Sequence, residues 1–137
     1  MKINTASTAR LRGVHPDLVR VVQRCAADWK DPDTGWIITC GTRTLEEQKV
    51  LKAKGASKTL RSRHIPAANG YSHAVDFAMT IKGVPRWDWG LYSGPLATAV
   101  KAAAKAEKVP IEWGGDWKFK DGPHFQLPWA TYPGNKK

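Results

Sequence analysis

Apolar positions recur at steps of three and four from residue 18 onward, at Leu18, Val21, Val22, Cys25, Ala26 and Trp29, and this spacing predicts an amphipathic helix. His15-Pro16-Asp17 opens it, with proline just inside the start and an acid in the first turn, both suited to a helix N-terminus. Asp31 to Gly35 has turn composition, and Trp36 to Cys40 is short and β-rich, which predicts a strand. Thr44-Leu45-Glu46-Glu47 is a capping-box sequence, followed by good helix formers to Lys54 and a stop at Gly55. Lys58 to Tyr71 shows no period. His73 to Ile81 alternates as a strand with Ala74, Asp76 and Ala78 on one face, and Gly83 to Trp89 reads as a loop. Pro95 starts an alanine-rich helix to about Lys108, Val109 to Trp113 is a short strand, and a polar loop through Gly122-Pro123 leads to a last strand, His124 to Leu127. The order α, β, α, β, α, β, β predicts a single compact α+β domain over residues 1–137, with a small, mostly antiparallel sheet flanked by helices. Residues 1–13 form a polar leader outside that pattern.

Composition narrows the class. A chain of 137 residues with 42% hydrophobic positions and seven tryptophans has enough material for one core, and a domain of that size buries roughly two thirds of its unfolded surface. No apolar run approaches the roughly 18 residues of a membrane span, and no apolar stretch follows the N-terminal charges as a secretory signal requires. The expectation is a protein made in the cytoplasm, without membrane insertion. Cys25 and Cys40 are read as reduced core thiols, one on a helix and one ending a strand. The net charge of +10 favours polyanionic partners, but the basic residues run from Lys2 to Lys137 without clustering and no nucleic-acid motif accompanies them.

Four histidines occur, at positions 15, 64, 73 and 124. A catalytic zinc site takes three protein ligands, commonly histidines with one carboxylate, and leaves a position for water. Asp76 lies on a predicted strand and His124 starts another, and facing residues of an antiparallel pair lie about 5 Å apart on one side of the sheet, so the two can be neighbours. His64 precedes the same strand by a loop. His73 is the rival to Asp76, although three positions along a strand point two side chains to opposite faces.

The motifs Ser62-Arg63-His64, Ser72-His73-Ala74-Val75-Asp76-Phe77, Trp113-Gly114-Gly115-Asp116-Trp117 and Asp121-Gly122-Pro123-His124-Phe125 occur in that order. Together they resemble the signature of the VanY/VanX-like (M15) zinc peptidases. Among these the chain is most similar to phage endolysins of the L-alanyl-D-glutamate peptidase type, a likeness that extends to His15-Pro16-Asp17-Leu18 and to the segment from Gly41-Thr42-Arg43-Thr44 to Gln48. The resemblance implies the Hedgehog/DD-peptidase-like fold and one Zn2+ per chain held by His64, Asp76 and His124. It implies Asp121 as the general base and acid, and Arg43 as the group that steadies the developing oxyanion. The chain departs from the family pattern where Ile65 to Tyr71 lengthens the gap between His64 and Asp76 and Ser72 stands in the usual place of glycine; this segment reads as an inserted loop.

Secondary candidates are Ser62, which shapes the approach to His64; His73; Asp116, a second claimant to the base role or an orienter of a ligand; and Trp113, as core or groove wall. Calcium is not supported, since no compact acidic loop is present, although Asp31 and Asp33 lie close together. The implied activity is hydrolysis of the L-Ala–D-Glu bond of the peptidoglycan stem peptide by a monomer without a separate cell-wall-binding domain. Such an enzyme accumulates in the host cytoplasm and reaches the wall when a separate holin opens the membrane. Alternatives are a D,D-carboxypeptidase or dipeptidase of the same chemistry, a non-catalytic cell-wall-binding relative, and, from the charge alone, a nucleic-acid-binding protein.

Overall fold

The computed structural model describes residues 1–55 and 62–133. Of the aperiodic stretch expected between residues 58 and 71, positions 58–61 therefore lie outside the described residues. The sheet is organised around β2 (Ala74–Ile81), which pairs antiparallel with β1 (Thr34–Cys40) on one side and with β5 (His124–Gln126) on the other. Beyond β5 lies β4 (Glu112–Trp113), giving the order β1-β2-β5-β4, while β3 (Val84–Arg86) folds back on the far end of β2. The α+β architecture with an antiparallel sheet is the one predicted.

Strand alternation divides the sheet into two faces with different work. Val75, Phe77 and Met79 of β2, with Trp36 and Ile38 of β1, Phe125 of β5 and Trp113 of β4, join the hydrophobic core. There they meet α2 (Pro16–Asp28) and α5 (Ala97–Glu107), which pack against one another through Leu18, Val21, Val22 and Cys25 on one and Val100, Ala103 and Ala104 on the other. Phe77 and Phe125 are fully buried, each worth about 1.5–3 kcal/mol of apolar transfer. The opposite face of the same strands carries Asp76, with Cys40 of β1 as its register partner on one side and His124 of β5 on the other.

Three elements differ from the sequence-based expectation. The polar leader contains a helix, α1 (Thr5–Arg10), capped by Asn4, whose Oδ1 accepts from the Ser7 backbone N–H at 2.8 Å. Its buried Ser7 accepts from the Ile38 N–H at 2.9 Å and Arg10 donates to the Ile38 carbonyl at 3.0 Å, so the helix occupies the outer edge of β1 with polar rather than apolar contacts. The segment expected as a loop after Ile81 is a hairpin into β3: Lys82 and Gly83 both have positive φ (49° and 80°), the geometry of a two-residue turn that matches strand twist. The last long helix does not begin at Pro95. A turn of helix, α4 (Trp89–Leu91), leads through a wider π-type segment (Tyr92–Leu96) that absorbs the missing N–H of Pro95 before α5 continues.

α3 (Leu45–Ala53) begins with the expected capping box, Thr44 and Glu47 each bonding the other's backbone N–H at 3.1 and 3.0 Å. This fixes Arg43 at the junction between β1 and α3. Among the described residues no helix is long and apolar enough to cross a membrane.

Candidate active site

The register of β2 puts Asp76 at the centre of a polar cluster. Its Oδ1 lies 2.9 Å from His124 Nδ1, and its Oδ2 lies 3.2 Å from His64 Nε2. Both imidazoles are almost wholly buried, and each has its other nitrogen committed to an acceptor: His64 Nδ1 to the Gly41 carbonyl at 2.7 Å, His124 Nε2 to Gln126 Oε1 at 2.8 Å. Gln126 is held in turn by Glu112 Oε1 at 3.5 Å across the β4–β5 ladder. With the proton of each neutral ring on the committed nitrogen, the lone pairs of His64 Nε2 and His124 Nδ1 face the two carboxylate oxygens. Two lone pairs set against a carboxylate are compatible with a metal ion held among them, and His64, Asp76 and His124 all fall within groups of side chains able to hold one.

Charge reinforces the pairing within the cluster. Burial pushes His64 down, but its hydrogen bonds and Coulombic attraction to Asp76 and Cys40 outweigh this and lift it to about 10. For Asp76 burial likewise works upward, and the contacts with His124 and His64 prevail, holding the carboxyl well below the usual range.

Asp121 reaches the cluster from the loop before β5, its carboxyl oxygen within 4.8 Å of ligand atoms on Asp76 and His124. Its outer surface meets solvent, yet desolvation of the carboxyl and the charge of Asp76 raise it above the ordinary carboxylate range, with His124 and His64 pulling the other way. The shift is in the direction that eases uptake and return of a proton by this carboxyl.

The Trp-Gly-Gly-Asp motif proves to be the seat of that loop. The Asp121 N–H donates to the Gly114 carbonyl at 2.9 Å, and the Trp113 indole N–H donates to the Gly122 carbonyl at 2.8 Å. A Cβ on Gly114 would stand 2.3 Å from the Asp121 carbonyl oxygen, and one on Gly115 would stand 2.2 Å from the Trp113 ring. Trp113 is thus a buried support, and Asp116 turns away to pair with Lys101 at 3.2 Å. Gly114→Ala is expected to shift Asp121 and, where Asp121 moves the proton as proposed below, to lower kcat roughly a hundredfold, the order of a 1 Å misplacement of a reacting group. Metal content should change little; a kcat within twofold of the parent would show that Gly114 does not set Asp121.

Arg43 is anchored next to the cluster by its main chain, which donates to the His64 carbonyl at 2.7 Å, and by its side chain. Its guanidinium donates to Gln48 Oε1 at 2.6 Å and to Cys40 Sγ at 3.3 Å. Cys40 is therefore not the core thiol expected: Cys25 is buried among apolar side chains, but Cys40 is half-buried with its sulfur 3.6 Å from His64 Nδ1 and grouped with His64 and Asp76 as possible metal-holding atoms. Burial acts to raise its thiol, and His64 and Arg43 more than offset that, leaving it below the usual range.

Ser62 accepts from the His64 N–H at 3.1 Å and shapes that turn. His73 lies elsewhere, its ring 5.4 Å from that of His15, with Tyr132 behind and Asn69 at 3.1 Å. Burial, reinforced by the charge of Arg63 and His15, lowers it to about 4 and keeps it neutral.

Sequence reasoning missed Gln126, Cys40 and Arg63. The first two carry no motif signal and become visible only through the β2 register. Arg63 stands inside the Ser62-Arg63-His64 motif, but its task, tying the carbonyls of Leu127, Pro128 and Tyr132 to the His64 turn, depends on a segment some 65 residues away.

The sequence profile of the phage L-alanyl-D-glutamate peptidase family matches residues 1–128. The chain is 36% identical over 118 residues to the L-alanyl-D-glutamate peptidase of Listeria phage A118, a match covering 85% of this chain and 39% of that protein. The chain thus spans about two fifths of the length of that relative. It is also similar to the crystal structure of the Serratia marcescens L-Ala D-Glu endopeptidase ChiX, with a TM-score of 0.81 and 39% identity over 97% of this chain and 94% of the other.

Proposed function

Because the chain belongs to the phage L-alanyl-D-glutamate peptidase family, we propose that it is a zinc-dependent endolysin that hydrolyses the L-Ala–D-Glu bond of the peptidoglycan stem peptide. One observation carries the metal reading: both oxygens of Asp76 face imidazole nitrogens whose opposite nitrogens are tied to Gly41 and Gln126. His64, Asp76 and His124 would hold one ion, and the mix of two imidazoles and a carboxylate is one that suits catalytic zinc. When bound, the ion supplies a Lewis acid and water with a pKa near 7.

The protein's own groups supply the rest. Asp121 accepts the proton of the attacking water and delivers it to the departing amine. Arg43, aimed by Gln48 and Cys40, presents fixed N–H donors to charge that develops on the scissile carbonyl oxygen, favouring the tetrahedral state over the planar amide. Trp117, whose ring lies 5.1 Å from that of His124, walls the cleft. In the same reading the enzyme acts as a monomer, is made in the host cytoplasm, and depends on a separate holin for access to the wall. Its positive charge attracts it to the anionic envelope rather than to nucleic acid.

The test is lysis of outer-membrane-permeabilised cells by the purified protein, with mass spectrometry of the digested wall. Chelation and Asp121→Ala are each expected to abolish lysis, the latter by removing a proton-transfer group worth about 10²–10⁴-fold while about one zinc per chain stays bound. New peptides beginning with D-Glu support the proposed bond. Release of free D-Ala instead would assign a carboxypeptidase, and lysis that persists after complete zinc removal would refute the mechanism.

A further inference from the structure

Large aromatic side chains collect on the surface beside the Asp121 loop. Phe119 is 75% exposed, Trp87 61% and Trp89 46%, on a protein whose other aromatics are mostly packed inside. Trp89 adjoins the Asp121 loop: it packs over Gly122, 3.2 Å from where a Cβ would stand, and Lys120 Nζ lies 6.0 Å from its ring. Trp87 and Trp89 are also held in place by ring stacking. Trp87 lies parallel to Tyr92, 2° between planes, and the Tyr92 hydroxyl accepts from the Met79 N–H and donates to the Arg86 carbonyl. Trp89 stacks on Trp113, the support of the catalytic loop. Flat, fixed aromatic faces left in water are the surface on which the C–H faces of pyranose rings stack, and contiguous exposed apolar patches of this kind mark binding sites.

Resting on the proposed bond specificity, we infer that this face binds the glycan strand of the substrate, a chain of N-acetylated pyranoses. The chemistry of the substrate demands such a neighbour. The L-alanine on the amino side of the scissile bond is itself amide-linked to the lactyl group of a muramic acid, so only about two residue-lengths, roughly 7 Å, separate the attacked carbonyl from a sugar. Trp89 packs on Gly122, the residue after Asp121, so its face adjoins the loop that carries the proposed proton-transfer group. Lys118 and Lys120 flank the rings and complement the carboxylates of the peptide that the strand carries. The domain that carries the proposed site would thus hold the polymer itself.

Two readouts test this, using the zinc-loaded enzyme. The first compares kcat/KM for a disaccharide-linked stem peptide with that for the same peptide lacking sugar. The parent should prefer the sugar-bearing form, and Phe119→Ala and Trp87→Ala should each reduce that preference ratio about fivefold to tenfold. The second is binding of an N-acetylglucosamine tetramer, followed by tryptophan fluorescence and line broadening, which needs no turnover. Binding by the parent that both variants weaken supports the platform. Absence of preference, or equal loss on both substrates together with unaltered tetramer binding, overturns it. If neither substrate is hydrolysed by the parent, the proposed activity fails, and tetramer binding alone then decides the platform.

Discussion

Asp76→Asn is expected to abolish zinc binding at the proposed metal site and, with it, the proposed hydrolysis. The substitution preserves shape, but the asparagine amide nitrogen points an N–H at an imidazole lone pair that Asp76 leaves free to share a cation. Loss of an outer partner of a ligand costs about 10–100-fold in metal affinity, and loss of a residue that would itself hold the ion should exceed that. After dialysis, zinc should fall from about one per chain toward none, and hydrolysis should fall by at least about a thousandfold. His73→Gln, at the rival position, should leave zinc content at the parental level. Undiminished zinc affinity in Asp76→Asn would remove this residue from the ligand set, and loss of zinc in His73→Gln would put the rival in its place. The comparison with Asp121→Ala, which should keep its zinc, separates holding the ion from moving the proton.

Arg63→Ala is expected to cost the largest share of stability. The guanidinium is 4% exposed and donates to the carbonyls of Leu127, Pro128 and Tyr132 while lying 4.0 Å over the ring of Trp129. Burial lowers it to about 10, still charged at neutral pH, with Glu112 opposing the shift. Removing it leaves buried acceptors unpaired at about 1–3 kcal/mol each, so a loss of about 3 kcal/mol or more is expected, equivalent to roughly 10 °C in Tm. Lysine should restore only part, because a single ammonium cannot span carbonyls that the planar fork reaches together. Denaturant unfolding measures both; a loss under about 1 kcal/mol in the alanine variant would show that solvent or main-chain rearrangement satisfies those carbonyls. The proposed activity should fall alongside, since His64 follows Arg63 directly and Leu127 follows β5, so the same side chain clamps together two of the three segments that carry the proposed ligands.

The contrast between what the chain announces and what it withholds follows from locality. α2, α3 and β2 were legible because their signals are local: spacing at three and four, a cap with its partner three residues on, strict alternation. α1 was not, because it is anchored through Ser7 and Arg10 to the edge of β1 and shows almost no apolar period. The turn at Lys82-Gly83 was missed since lysine seldom takes positive φ, and Pro95 misled because a π-type segment accommodates it inside a helix. At the site, His64, Asp76, His124 and Asp121 each lie in a recognisable motif, and the structure brings those four together. Gln126 and Cys40 acquire meaning only once β2 pairs with β5 and β1, a register no short motif encodes. Trp113 and Asp116 share a motif yet serve different ends, one beneath the catalytic loop and the other on the surface with Lys101.

The small helix α1 has one more effect. β1 ends the sheet on its side, and a strand at an edge offers unpaired backbone groups to any extended chain it meets. By filling hydrogen-bonding positions at Ile38, Ser7 and Arg10 deny that row to a second molecule. The six residues of α1 thus act as a guard against strand-to-strand polymerisation, a hazard that grows with protein concentration.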